Sequence, residues 1–259
     1  ADLAAAQSML AKSYLYLASA KANRVPEYKD MSFDVEEYYK NAADWAAKVV
    51  LNPEQTTYNF SDNLESIYDV ENPTCPEHIF IMSMDRTGAS EGQYSKISKM
   101  YIPYVAGGTI YLKNEDGSFS ATHDGWGEYR TTKEFYDSFE SGDKRHDELI
   151  VSEVYNKEGE VIADYKADGS GKLAYPFCRK FIDPSFVGDK TSTRPYLIRF
   201  SDIALTYAEA AGPTAESYAL VNRIRTRAGL GALTPGLSTE LFRQAILKER
   251  LSELAFEGN

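Results

Sequence analysis

Two cysteines and three histidines are all that 259 residues hold of the side chains that most often ligate transition metals. No C-x-x-C, no H-E-x-x-H and no metal-type histidine spacing occurs, so zinc ribbons, thioredoxin-like redox motifs and zincin chemistry have no local support and no cofactor is implied. G-x-G-x-x-G is also absent, and Gly107-Gly108-Thr109 is not followed by the lysine of a phosphate loop. There is no apolar run of roughly 18 residues, the length a spanning helix needs. Basic residues are scarce: 28 Lys and Arg stand against 39 Asp and Glu, a formal charge of −11. The charges are scattered along the chain, which fits a solvated acidic surface and excludes a binder of nucleic-acid phosphates. The chain opens ADLAAAQ, without Met, a basic segment or an apolar leader, so its address is expected to lie outside this sequence.

What remains is an ordinary globular composition, 43% apolar and 26% charged, long enough for one or two domains with a sizeable core. The unusual abundance is aromatic: 19 Tyr, 12 Phe and 2 Trp. Tyrosine suits surfaces that are both apolar and wet, such as sugar faces and protein interfaces, and it also packs between helices.

Residues 2–22 place Leu3, Ala6, Leu10, Tyr14 and Leu17 at helical spacing, which predicts a helix with that face buried. Asp34 and Glu37 form a capping box for a second helix reaching Leu51, with Tyr39, Ala42, Ala46 and Val49 inside and Pro53 as its stop. Two alanine-bearing helices in succession make an αα-hairpin of tetratricopeptide type, although a 34-residue period does not repeat cleanly. Ser61 is expected to cap a short helix over 61–69, and 78–84 reads as a strand. Residues 85–130 are irregular, holding seven of the 17 glycines. Thr131 and Glu134 predict a helix over 131–141 closed by Gly142, and 148–156 with 160–166 predict a β-hairpin around Lys157-Glu158-Gly159. Three more helices follow, over 201–211, 214–228 and 239–256. Leu220 or Val221, Ile224 and Ala228 face inward in the second of these, and Leu247, Leu251 and Leu254 in the third.

Several patterns could carry chemistry. Gly88-Ala89-Ser90-Glu91-Gly92 matches G-x-S-x-G, with His123 or His146 as a base, but no series of βαβ units surrounds it, and a glycine-bearing surface loop explains it equally. Asp143 with Asp147, and Glu249 with Glu253, lie four apart, as paired carboxylates of a glycosidase or as ion pairs of a turn and a helix face. The densest cluster is Tyr94, Tyr101, Tyr104, Tyr111, Phe119, Trp126 and Tyr129, interleaved with Gln93, Asn114, Asp116, Asp124 and Arg130. Sugar rings offer C–H faces that stack on aromatic rings and hydroxyls that pair with such polar groups; loop packing is the alternative. Trp126, between Gly125 and Gly127, is accordingly either a stacking platform or a buried loop anchor.

Four strings in order resemble the RagB/SusD family: YRTTKEFYDSFESGDKRHD (129–147), RPYLIRFSDIALTYAEAA (194–211), ALVNRIRTRAGL (219–230) and AILKERLSELAFEGN (245–259). The helices over 5–18 and 38–50 fit its tetratricopeptide-like elements. Members begin with a lipoprotein signal and further helices and continue past Glu-Gly-Asn, so the resemblance covers the middle and later part of a member. It implies a mainly α fold, a tetratricopeptide-like helical-repeat scaffold with an irregular loop and β-hairpin excursion. As a single SusD-like domain it would comprise a helical-repeat part (1–84), the excursion (85–190) and C-terminal helices (191–259). It also implies a non-enzymatic protein, lipid-anchored on the outer face of an outer membrane, that captures oligosaccharides or peptides and passes them to a TonB-dependent transporter. Arg199, Asp202, Glu209, Arg223, Arg225, Glu249 and Glu257 would then be scaffold ion pairs. The ligand is expected on the 94–130 excursion, at Trp126 with Tyr101, Tyr104 or Tyr129, and with Tyr94 and Arg130 as further candidates. A helical-repeat protein-interaction module and a serine hydrolase using Ser90 are the alternatives.

Overall fold

The structure, a computed structural model, describes residues 2–52, 56–105 and 107–258. Pro53, the expected stop of the second helix, and the terminal Asn259 lie outside the described residues. The helices in chain order are α1 (Leu3–Ala22), α2 (Val35–Val50), α3 (Leu64–Tyr68), α4 (Ile97–Tyr101), α5 (Lys133–Tyr136), α6 (Lys144–Glu148), α7 (Phe200–Ala211), α8 (Ala215–Arg227) and α9 (Thr239–Glu253). The strands are β1 (His78–Ile81), β2 (Thr109–Lys113), β3 (Phe119–His123), β4 (Ile150–Val151), β5 (Glu153–Tyr155), β6 (Val161–Asp164), β7 (Phe177–Cys178) and β8 (Tyr196–Arg199). The fold is mainly α, and no helix of the described residues is long and apolar enough to cross a membrane. The chain forms two compact units, residues 1–62, 74–81 and 196–259 in one, 63–73 and 82–195 in the other.

The first unit is built around α7, which is buried along nearly its whole length from Phe200 to Ala210. α1 and α2 pair as a hairpin, and α2, α8 and α9 each pack on α7. Side-chain caps start these helices: Asp2 accepts from Ala5 N (2.9 Å), Asp34 from Glu37 N (2.8 Å), Thr214 from Ser217 N (3.1 Å) and Ser238 from Leu241 N (3.3 Å). Gly212 and Gly229 follow α7 and α8 with φ of 75° and 78°, in the left-handed region that favours glycine.

The inward stripes of α2 and α8 are those expected: Tyr39, Ala42, Ala46 and Val49, then Val221 and Ile224, with Ala228 just past the helix. α1 is rotated from its expected face. Ala4, Ser8, Ala11, Leu15 and Ala18 are buried, whereas Leu3 (71% exposed), Ala6 and Leu10 face solvent. α1 is apolar on more than one side, and its alanine face permits the closer approach to α2, where Ala42 and Ala46 are also fully buried. α9 departs for a different reason. Its inward stripe is Phe242, Ile246, Glu249 and Glu253, while Leu247 and Leu251 are exposed and only Leu254 of the expected three is buried.

Those two glutamates point inward because buried arginines await them. Arg199 Nη1 lies 2.6 Å from Glu77 Oε2 and 3.3 Å from Glu253 Oε1, and its Nε lies 2.7 Å from Glu257 Oε2. Arg227 joins Glu77 and lies 2.6 Å from Glu253 Oε1. Ser201 Oγ donates to Glu77 at 2.7 Å, and Arg225 meets Glu249 at 3.0 Å. Asp202 receives Lys12 at 2.5 Å and Arg250 at 3.1 Å. Arg223 instead pairs at the surface with Asp62.

The second unit is richer in strands than its sequence suggests. Within 85–130, β2 and β3 form an antiparallel hairpin in continuous register from Thr109↔His123 to Lys113↔Phe119. It joins β5 and β6 in a four-stranded sheet ordered β3-β2-β5-β6. The expected hairpin over 148–166 survives as β5–β6, but Ile150 and Val151 pair with Cys178 and Phe177 instead. The expected 131–141 helix shortens to α5 with Thr132 as its cap, and the 61–69 helix shortens to α3, capped by Asn63. Ile102, Ile110, Leu112, Val154 and Phe177 form the unit's apolar core.

Ala11→Leu, which overfills the α1–α2 contact, should destabilise by about 1–3 kcal/mol in urea unfolding, and Leu3→Ala should stay within about 0.5 kcal/mol. Equal effects would refute the rotated face. Glu77→Gln, which leaves two buried guanidinium groups short of a carboxylate, should cost about 3–5 kcal/mol in the same measurement. A loss below about 1 kcal/mol would show that the network is dispensable.

Candidate functional site

The expected aromatic residues are organised by a short strap, residues 124–130, that runs beside α4 and the chain following it. Trp126 N donates to Lys99 O (2.7 Å), Tyr129 N to Met100 O (2.8 Å), Gly127 N to Ile102 O (2.9 Å) and Gly125 N to Pro103 O (3.3 Å). Asp124 closes one end: its carboxylate accepts from Val105 N at 2.7 Å, from Gly107 N and from Gly125 N at 3.0 Å. The glycines are there because nothing larger fits. A Cβ on Gly125 would lie 1.8 Å from Ile102 O, and one on Gly127, whose φ is +68°, would lie 2.3 Å from Tyr175 Oη. Between them the Trp126 indole turns outward, 47% exposed. Tyr129 on the strap is 48% exposed, and Tyr104 is 75% exposed.

Tyr101 is the inner member of this group. Its ring stacks on Phe181 (centroids 5.4 Å apart, planes at 14°) and tilts against Tyr129 at 5.2 Å. Lys99, which sequence reasoning did not single out, holds its ammonium 5.3 Å from the Trp126 ring centroid and 2.5 Å from Asp189. Its bond to Asp189 lowers that carboxyl's pKa. α4 itself shows no apolar periodicity in five residues, and Asp189 is ninety positions away in sequence, so neither partner leaves a local signal.

Of the remaining candidates Arg130 ends the strap, and the others sit elsewhere. Tyr94 packs with Lys96 and Lys190, 5.5 and 4.7 Å from its ring, and a hydrogen bond with Glu91 raises its pKa. Arg130 lies over Tyr175 at 5.5 Å. Asn114 and Asp116 line a separate cleft of about 800 Å³ with Glu65, Glu115, Glu148 and Arg179. Burial, then the neighbouring Glu115, raises the Glu148 pKa there.

The patterns that suggested catalysis are otherwise engaged. Ser90 lies on an exposed turn with its N–H held by Gln93 Oε1 at 3.0 Å, and no strand–turn–helix elbow surrounds it. His123 pairs with Ser98 and His146 with Asp147. Asp143 is buried and grips Arg145 at 2.9 and 2.7 Å, and Glu249 and Glu253 belong to the arginine network. Among the described residues no group of three potential ligands could hold a metal ion.

Gly125→Ala should release the strap without unfolding the unit. Amide exchange at Trp126, Gly127 and Tyr129 should accelerate while β2 and β3 stay protected. Unchanged protection of the strap would contradict the close approach.

Comparison with known proteins places the fold. The SusD family model matches residues 76–259. No curated protein matches the chain. A SusD superfamily protein from Parabacteroides distasonis superposes with a TM-score of 0.68 at 21% identity, over 99% of this chain and 50% of that one. A laminarin-binding SusD-like protein gives a TM-score of 0.70 at 23% identity, over 100% of this chain and 53% of that one. A structure solved with xylogluco-oligosaccharide gives 0.69 at 19% identity, over 99% of this chain and 49% of that one. The chain thus spans about half the length of these solved structures. With the family's own pattern running through more than half of its residues and the fold matched along almost all of them, the chain belongs to the SusD family.

Proposed function

We propose that this chain is part of a cell-surface protein that binds oligosaccharides without cleaving them. It would deliver them to a partner TonB-dependent transporter from the outer face of an outer membrane, held there by a lipid anchor. The observation that carries this reading is the outward presentation of Trp126 and Tyr129 by a backbone-clamped strap, with Tyr104 exposed on the segment it is clamped to. Trp126 and Tyr129 are carried on one seven-residue strap, and Tyr104 follows the α4 segment to which that strap is bonded. They match the C–H faces of sugar rings, and the rings need little further ordering on contact because each has only two χ angles. Tyr101, supported by Phe181, would brace the platform, and Lys99 would supply a donor at its edge. Laminarin binding and a bound xylogluco-oligosaccharide in structural neighbours support a glucan as the first ligand class to try. Arg130, at the end of the strap, lies over Tyr175, and Tyr94 would contribute only to a ligand that extends beyond the strap.

Calorimetric titration with laminari- and xylogluco-oligosaccharides tests the site. Trp126→Ala should weaken binding by about 1–3 kcal/mol, the scale of a lost aromatic hot spot, with little change in Tm. Normal binding by Trp126→Ala would remove this residue from the site. A Tm lowered by several degrees would mark it as a packing anchor.

A further inference from the structure

Lys99 and Trp126 are joined twice. The Trp126 amide donates to the Lys99 carbonyl oxygen at 2.7 Å, and the Lys99 ammonium lies 5.3 Å from the centroid of the Trp126 ring. The ammonium therefore belongs to the exposed aromatic face. Its counter-charge, Asp189, arrives on a tight turn in which Val187 and Lys190 exchange backbone bonds at 2.9 and 3.0 Å and Gly188 takes a φ of +60°. Thr191, just past the turn, exchanges backbone bonds with Ser95, just before α4, each at 2.9 Å. The backbone thus carries Asp189 to Lys99, and their side chains meet at 2.5 Å. The Lys99 side chain is 14% exposed and that of Asp189 49% exposed, so the cation is sheltered and the anion is the outer member of the pair.

We propose that Asp189 determines the specificity of the aromatic face: by pairing with Lys99 it makes the edge beside Trp126 a donor–acceptor pair for neutral sugar hydroxyls and excludes uronates and other anionic sugars. The selectivity among sugars rests on the reading of that face as a glycan platform; the charge arrangement does not. An ammonium has three N–H donors, and one carboxylate does not exhaust them. A carboxylate has about four lone-pair sites, and Lys99 does not fill them. A hydroxyl both gives and takes a hydrogen bond, so it can meet either partner without bringing a charge. An anionic sugar would meet the outer Asp189 carboxylate first, and the attraction of Lys99 is already offset by that carboxylate. The bond with Lys99 holds the Asp189 pKa below its ordinary value, so the outer group stays ionised. Other cations of this unit are engaged as well. Lys96 pairs with Glu91 at 3.1 Å, Lys190 donates to the Gly88 carbonyl oxygen at 2.8 Å, and Arg130 lies over Tyr175 at the end of the strap. His123 brings no charge at neutral pH, because burial first and Lys99 second hold its pKa below the ordinary value. Glu128, exposed on the strap, adds a further negative charge.

Trp45→Phe leaves Trp126 as the sole tryptophan, so fluorescence quenching reads this face directly. Iodide reports the local charge, and neutral acrylamide corrects for access. In that background and at constant ionic strength, Asp189→Asn should raise the ratio of iodide to acrylamide quenching, and Lys99→Met should lower it. The double variant should return close to the parent. A ratio that either single variant leaves unmoved overturns the proposal. Calorimetric titration then reads selectivity with a matched pair of probes, laminaritriose and its C6-oxidised form, in which carboxylates replace the primary hydroxyls. The parent should bind the neutral trisaccharide more tightly. Asp189→Asn should shift the affinity ratio towards the oxidised form by about five-fold, the upper end for one exposed charge pair. A parent that prefers the oxidised form, or a ratio that Asp189→Asn leaves unchanged, overturns the proposal. If neither trisaccharide binds parent or variant while the quenching ratios move as expected, the glycan reading fails and the charge arrangement stands.

Discussion

The helical unit depends on one carboxylate, Glu77. It is fully buried just before β1, and it accepts from Arg199 of β8, Arg227 of α8 and Ser201 of α7 at once. A buried charge is tolerable only where every lone pair finds a donor. Glu77 meets that requirement by drawing on three elements that are remote in sequence. Glu253 and Glu257 then complete the arginines from the end of α9 and just beyond it. Charge satisfaction therefore fixes where β1 and β8 pair and how the ends of α8 and α9 approach them.

The second unit solves a different problem. Its strap has no regular structure of its own, yet it holds large rings in solvent. Backbone hydrogen bonds do the holding, and they are possible only because Gly125 and Gly127 let the chain come within contact of Ile102 and Tyr175. Asp124 adds a carboxylate that collects three N–H groups at the bend. Trp126 and Tyr129 on the strap are thereby left about half exposed, and Tyr104 opposite is more exposed still.

Much of this was legible in the sequence. The α2 and α8 stripes and the Asp34 cap follow from spacing and side-chain chemistry acting within a few residues. The failures share a cause. α1 offers leucine on one face and alanine on another, and only the partner helix decides between them. In α9 the stripe rule assigns leucines to the interior, but the interior there is lined with guanidinium groups, so Glu249 and Glu253 go in and Leu247 goes out. The aromatic cluster of the excursion was visible as composition. Its division was not: Tyr94 stays with Lys96 and Lys190, Asn114 and Asp116 turn to another cleft, and Lys99 and Asp189 join from positions that carry no pattern.

A clamped strap with projecting rings has a consequence for the function proposed here. Ordering a flexible loop on binding would set a large entropic cost against modest stacking contacts. With the backbone already paired along Lys99, Met100, Ile102 and Pro103, that cost is met during folding. Under the proposed function weak contacts would then be enough for capture, and rings this exposed would leave few contacts to break for release. A deeper pocket would hold an oligosaccharide longer but would slow its transfer, since differences in affinity are expressed mainly in the off-rate. A protein that hands its ligand onward is better served by pre-ordered, shallow contact.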